Sequence, residues 1–305
     1  MARSAGNPEV LFGTEQGDID MHYSAAYVIF ARSGDDEVWA MDGARLVDGG
    51  DGNDLIFAGD GTQVVMGGDG QDSVYAGHGE QVLLGGAGDD VVSSESGPHL
   101  LEGGDGNDRL VTGPGNQTVL GGTGADTVFT SNTTPWPWEP SHHLVLAEEG
   151  NDTVFAAYGA DTVYGGAGND TIISPFPAYP WLPQFLDGGG GNDLFFAGYM
   201  NATLTGGAGR DTFAFFSNAD RRFVITDFRA GQDIIQFRAA FNSPSPFWHW
   251  QPPPPVPPPP ALSVSAAPGP DGDAVLHFGD GATVTLLDVP AARVAAHLGD
   301  YVKAG

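Results

Sequence analysis

Aspartate recurs in this sequence at a fixed interval. Asp18, Asp36, Asp54, Asp72, Asp90, Asp108 and Asp126 stand 18 residues apart, and the series resumes as Asp152 and Asp170, then as Asp193 and Asp211. Each closes a glycine-rich loop of six, of which Gly49-Gly-Asp-Gly-Asn-Asp54, Gly67-Gly-Asp-Gly-Gln-Asp72 and Gly103-Gly-Asp-Gly-Asn-Asp108 are the clearest copies. Carboxylates on flexible loops that also present main-chain carbonyls form a hard-oxygen donor set, which suits Ca2+. Zinc or copper would want Cys or His, and no histidine lies in this row. Stacked at an inter-strand spacing of ~4.8 Å, neighbouring carboxylates repel by about 0.9 kcal/mol even in bulk water. A divalent cation removes that repulsion and ties consecutive turns together. The alternative is that each Asp merely makes an Asx turn; eleven positions in phase favour the metal.

The elements that must position this row follow from the same period. Each 18-residue unit divides into two halves of nine, a loop of six and a strand of three. The eighth position of the first half reads Val38, Ile56, Val74, Val92, Leu110, Val128, Val154, Ile172, Phe195 and Phe213. In the second half it reads Ile29, Val47, Val65, Leu83, Leu101, Val119, Val145, Val163, Leu186 and Leu204. One apolar residue per nine predicts a short strand with one inward side chain, and glycine at this density excludes helix. Two strands per turn wind into a two-sheet parallel solenoid of about eleven turns. Copies starting at Gly13, Ala31 and Ala147 lack one or both leading glycines, which weakens the case for an ion there. The interval lengthens by 8 residues before Ala147 and by 5 before Gly188.

The two loop rows differ. In the second half the sixth position is Tyr27, Arg45, Gln63, Gln81, His99, Gln117, His143, Asp161, Gln184 and Ala202. With Asp161 the one acid among them, the expectation is a one-sided device. One edge carries calcium; the other is calcium-poor, with stacked glutamines and at most an isolated site at Asp161.

Composition narrows the function. The 305 residues include 47 Gly, 23 Pro and no Cys, and 39 acidic against 11 basic residues give a net charge of −28. Such a chain lacks the basic face that nucleic acid requires, and it has neither thiol chemistry nor disulfides. No apolar run reaches the ~20 residues of a membrane helix, and Met1 to Pro8 lack the apolar core of a cleavable signal peptide. His-Glu-x-x-His, Gly-x-Ser-x-Gly and P-loop patterns are missing, so no enzymatic activity is expected.

The nonapeptide Gly-Gly-x-Gly-x-Asp-x-U-x resembles the RTX (repeats-in-toxin, hemolysin-type) family. The resemblance implies an all-β, right-handed parallel β-roll over residues 13–223, between an N-terminal cap at 1–12 and a C-terminal β cap at 224–305. It implies calcium between successive loops, held by carbonyls and by Asp18, Asp36, Asp54, Asp72, Asp90, Asp108, Asp126, Asp152, Asp170, Asp193 and Asp211. The stretch Phe223-Val-Ile-Thr-Asp-Phe-Arg-Ala-Gly-Gln-Asp-Ile-Ile-Gln-Phe237 and the apolar hairpin after it resemble the C-terminal segment of serralysin-type proteases. That implies an uncleaved signal for a bacterial type I secretion machinery, and hence an extracellular or cell-surface protein. The roll is interrupted by Pro/Trp-rich insertions near 130–141 and 174–183, and a third such segment spans 244–260. Trp136, Trp138, Tyr158, Tyr179 and Trp181 either fold down as lids over the thin core or form a candidate ligand patch for a sugar ring or a protein. Two functions are carried forward: a calcium-folded structural or adhesive protein that self-associates, and a glycan-binding accessory module.

Overall fold

A computed structural model describes residues 9–15, 21–23, 26–40, 42, 45–130, 141–156, 159–174, 183–198, 201–216, 222–238, 264–278 and 282–304. Asp18 and the five aromatic residues of the candidate patch lie outside these. The chain is a parallel β-solenoid of two sheets. Strands alternate between the sheets, so that each pairs in parallel with the strand one turn before and one turn after it. Leu46–Asp51 pairs with Val64–Asp69 and that with Val82–Ala87, while Leu55–Ala58 pairs with Ser73–Ala76 in the opposite sheet. The register steps by 18 residues through the regular turns and lengthens across the insertions without losing phase: Val119 stands opposite Val145, and Val163 opposite Leu186. A sequence period thus becomes a row in space.

The inward side chains are those the period marks. All of Val38, Ile56, Val74, Val92, Leu110 and Val128 on one sheet, and Val47, Val65, Leu83, Leu101 and Val119 on the other, have no solvent exposure. A second inward position, two residues on, is not evident from one apolar residue per nine. In most turns it holds small side chains such as Ala58, Ala76, Ser94 and Thr130. Toward the C-terminus the core widens to phenyl rings, with Phe195 stacked on Phe213 at 5.0 Å.

Parallel pairing runs on past residue 223, through Arg222–Ile225 and Ile234–Arg238. Thr283–Pro290 then adds in parallel to the first sheet, and Asp273–Phe278 and Val264–Pro268 close it antiparallel. Helices Ala291–Ala296 and Leu298–Tyr301 follow, their buried Val294 and Tyr301 joining the core, with Tyr301 edge-on to Phe228. The C-terminal end of the stack is therefore covered. Among the described residues no helix is long and apolar enough to cross a membrane.

Candidate metal centre

The loops after the strands of the first sheet line one long edge of the solenoid. On it the structure brings Asp36, Asp54, Asp72, Asp90, Asp108, Asp126, Asp152, Asp170, Asp193 and Asp211 into one buried row. One carboxylate oxygen of each is used structurally. The backbone N–H of each Asp donates to Oδ1 of the Asp one turn on, from Asp36 through to Asp211, at 2.7–3.1 Å. The last acceptor in this chain is Asp233, a member that sequence reasoning missed because it lies 22 residues after Asp211.

The other oxygen is different. Oδ2 of Asp54, Asp72, Asp90, Asp108, Asp126, Asp152, Asp170 and Asp193 is buried with no hydrogen-bond donor. Burial, and next to it the carboxylates of adjoining turns, push Asp54, Asp90, Asp152 and Asp193 up to about 7. Burial likewise carries Asp72 and Asp108 to about 6. A desolvated anion without a partner is costly, so something positive belongs beside it.

Glycine at the first loop position brings this oxygen close to the next turn. A methyl group built on Gly49 would lie 2.3 Å from Asp54 Oδ2 and 2.5 Å from the carbonyl oxygen of Gly67. The same convergence recurs at Gly67, Gly85, Gly103, Gly121 and Gly165, always within 2.3–2.6 Å of an Asp Oδ2 and of the next turn's carbonyl. The absence of a side chain at the first loop position thus lets a carboxylate oxygen and a carbonyl oxygen of the neighbouring turn draw close together, and hard oxygens of both kinds suit Ca2+. Among the described residues no three acidic or imidazole side chains gather around one point, so carbonyls must supply much of any coordination shell.

A second ladder, also unread in the sequence, runs along the outside of this edge at the fifth loop position. Asn53, Asn107, Asn151, Asn169 and Asn192 each accept at Oδ1 from the backbone N–H one turn on, at 2.7–2.9 Å. At the C-terminal end, Arg229 Nη1 donates to Gly207 O at 2.5 Å and Gln232 Nε2 to Gly209 O. Protein donors there meet loop carbonyls directly.

The opposite edge is organised without orphan carboxylates. Its glutamines are buried but do not stack on one another as expected. Instead their amides donate to loop carbonyls: Gln81 Nε2 to Gly59 O at 2.6 Å, and Gln117 Nε2 to Glu95 O and Gly113 O at 2.9 and 3.0 Å. Ser94 Oγ donates back to Gln117 Oε1 at 2.6 Å, and Ser174 Oγ to Gln184 Oε1. The amide thus takes, with no net charge, the carbonyl-bridging part that a cation would play. Asp161, fully buried, has both oxygens occupied, Oδ1 by the His143 N–H at 3.0 Å and Oδ2 by Thr130 Oγ1 at 2.8 Å. Unlike the row on the other edge, Asp161 thus has a protein donor on each oxygen and no orphaned oxygen to mark the isolated site that the sequence suggested.

An aromatic rank on the outer face of the second sheet was also missed, although it follows the 18-residue step. Trp39, Phe57 and Tyr75 stack at 4.2 and 5.3 Å, and further along Phe129 stacks on Phe155 at 4.6 Å with the Arg109 guanidinium 4.4 Å over the Phe129 ring.

Residues 28–56, 57–92, 100–132 and 145–174 match the RTX calcium-binding nonapeptide repeat, in four copies. Among solved structures, the extracellular lipase LipA of Serratia marcescens is similar at 19% identity, over 75% of this chain and 39% of the lipase, with a TM-score of 0.22. The chain thus spans well under half of that lipase's length. No curated protein matches it.

Proposed function

We propose that this chain, whose turns are RTX calcium-binding nonapeptide repeats, is a secreted, non-enzymatic protein that folds on external calcium and serves as a structural or adhesive component of a bacterial surface or matrix. The observation that carries this reading is the row of buried Oδ2 atoms without a donor, those of Asp54, Asp72, Asp90, Asp108, Asp126 and Asp170 lying close to a carbonyl of the next turn. Without cations the row repels itself in a core only one or two side chains deep, so the chain stays extended and threadable. Calcium, when bound, supplies positive charge and cross-links between turns, and its binding energy is then folding energy. The Asp Oδ2 atoms and the first carbonyl of each following loop hold it. Extracellular modules typically bind with Kd about 10⁻⁴–10⁻³ M, which suits a gate between cytosol and exterior. Export through an uncleaved C-terminal signal is supported by the Phe223 to Phe237 stretch.

Glycan binding is the second reading, and Tyr75 favours it. One face of its ring is stacked on Phe57, the other looks along the sheet toward small Ser93, and the residue is 38% exposed. Sedimentation velocity in calcium and retention on immobilised polysaccharide separate the two. Concentration-dependent larger species support the structural role. A monomer retained by the glycan, with retention lost in Tyr75→Ala or in the Trp136/Trp138/Trp181 triple Ala variant, replaces it with the second reading.

A further inference from the structure

The aspartate row ends at a loop of different composition, Thr226-Asp-Phe-Arg-Ala-Gly-Gln-Asp233. It meets the glycine-rich loop before it, Gly206-Gly-Ala-Gly-Arg-Asp211, with its side chains. The Asp227 carboxylate accepts from the Gly206 and Gly207 N–H groups at 2.8 and 2.7 Å. Arg229 Nη1 donates to Gly207 O at 2.5 Å, and Gln232 Nε2 donates to Gly209 O. Gly209 O is the fourth-position carbonyl of its loop; among the described residues, none of its counterparts from Gly52 to Gly191 has a side-chain donor. Asp233 has a donor on each oxygen, the Asp211 N–H at 3.1 Å and the Arg229 N–H at 2.6 Å. The charges change at the same place. The run of buried Oδ2 atoms without a donor reaches Asp193 and stops there, although Asp211 is as buried as the others. The neighbouring charges that act on Asp54, Asp90 and Asp193 are all carboxylates. Asp211 and Asp233, raised first by burial, also feel the Arg229 guanidinium, which draws both back down.

We propose that Arg229 is the last cation of the row: its guanidinium takes at the loop 206–211 the part that calcium takes in the earlier turns, so that the ions stop at Asp193 and Asp211 holds none. This inference rests on the calcium reading above. Asp211 keeps its place in the ladder without an ion, because its Oδ1 accepts the Asp193 N–H at 3.0 Å and its own N–H donates to Asp233. A guanidinium is fixed to the chain and always protonated, so this end of the row keeps its positive charge at any calcium concentration. The molecule therefore binds fewer ions than it has aspartates in phase.

Native mass spectrometry of the full chain in calcium counts the ions directly, and far-UV circular dichroism verifies that each variant has formed the roll. Asp193→Asn is expected to lower the wild-type count by one and Asp211→Asn to leave it unchanged, since in both an amide oxygen still accepts the backbone N–H. Arg229→Gln removes the charge. It is expected to melt a few degrees below wild type in saturating calcium with the same ion count, and Arg229→Lys to recover most of that loss. A count that falls in Asp211→Asn, or that does not fall in Asp193→Asn, overturns the proposal and leaves the calcium reading standing. So does an Arg229→Gln chain that melts as wild type does, or an Arg229→Lys chain that melts no higher than Arg229→Gln. Where Arg229→Gln fails to form the roll, the two Asp variants decide. A wild-type chain that binds no calcium overturns the calcium reading, and this one with it.

Discussion

At the scale of the residue, the two oxygens of one carboxylate have separate duties. Oδ1 accepts a backbone N–H and holds the register; Oδ2 is buried and waits for a cation. Asp90→Asn separates these duties, because an amide oxygen still accepts the Asp72 N–H. In saturating calcium the variant should melt lower than wild type, having lost an ion that bridges two turns. In chelator it should be no less stable, and is expected to be more so, because one member of a repelling row is now neutral. Thermal unfolding in the two buffers measures both signs. The pH dependence follows from the same atoms. Folding raises these carboxyl groups from about 4 to about 6 or 7, so the metal-free fold binds more protons than the unfolded chain. Its proton-linked stability is fully present below about pH 4 and is lost as pH rises through 6 to 7. In chelator, the folded fraction by circular dichroism should be larger at pH 5 than at pH 8. Calcium competes with those protons, so its affinity should fall from pH 8 to pH 5.

At the scale of the element, the two loop edges answer one problem, carbonyls converging between turns, in two ways. One edge leaves its buried carboxylate oxygens without a protein donor; the other meets its carbonyls with the Gln63, Gln81, Gln117 and Gln184 amides. Gln117→Ala removes the donor to Glu95 O and Gly113 O and the acceptor of Ser94 Oγ. Leaving buried polar atoms unmatched costs about 1–3 kcal/mol. Denaturant unfolding in calcium should show that loss while the number of bound ions stays the same; a lower ion count would mean that this edge also carries metal. Much of this was legible in the sequence because a parallel stack turns an 18-residue step into a column of neighbours. The inward valines and leucines, the aspartate row and the one-sidedness of the edges all follow from phase alone. Phase does not say which atom each side chain meets. Gln81 reaches a carbonyl and not Gln63, and Asp161 is consumed by Thr130 and His143, because the partners are backbone groups and small residues placed by loop curvature. Asp233 and Arg229 escaped notice where the step changes to 22 residues. Trp39, Phe57 and Tyr75 were in phase and readable, but the insertions drew the eye to other aromatics.

At the scale of the whole molecule, a chain of net charge −28 folds around a core of only one or two inward side chains per strand. Local hydrophobic burial is set against a continuous line of buried anions, and the proposed function therefore makes cation binding and folding one equilibrium. At the C-terminal end, Tyr301, Val294 and Phe228 join the core beneath the last strands. The most direct test is far-UV circular dichroism with sedimentation velocity at pH 8, first in chelator and then across a calcium titration. An expanded coil in chelator that converts cooperatively to a compact β-rich species at millimolar calcium is the predicted result. A chain already compact and β-rich in chelator would contradict it, since the buried carboxylates would then be satisfied without calcium.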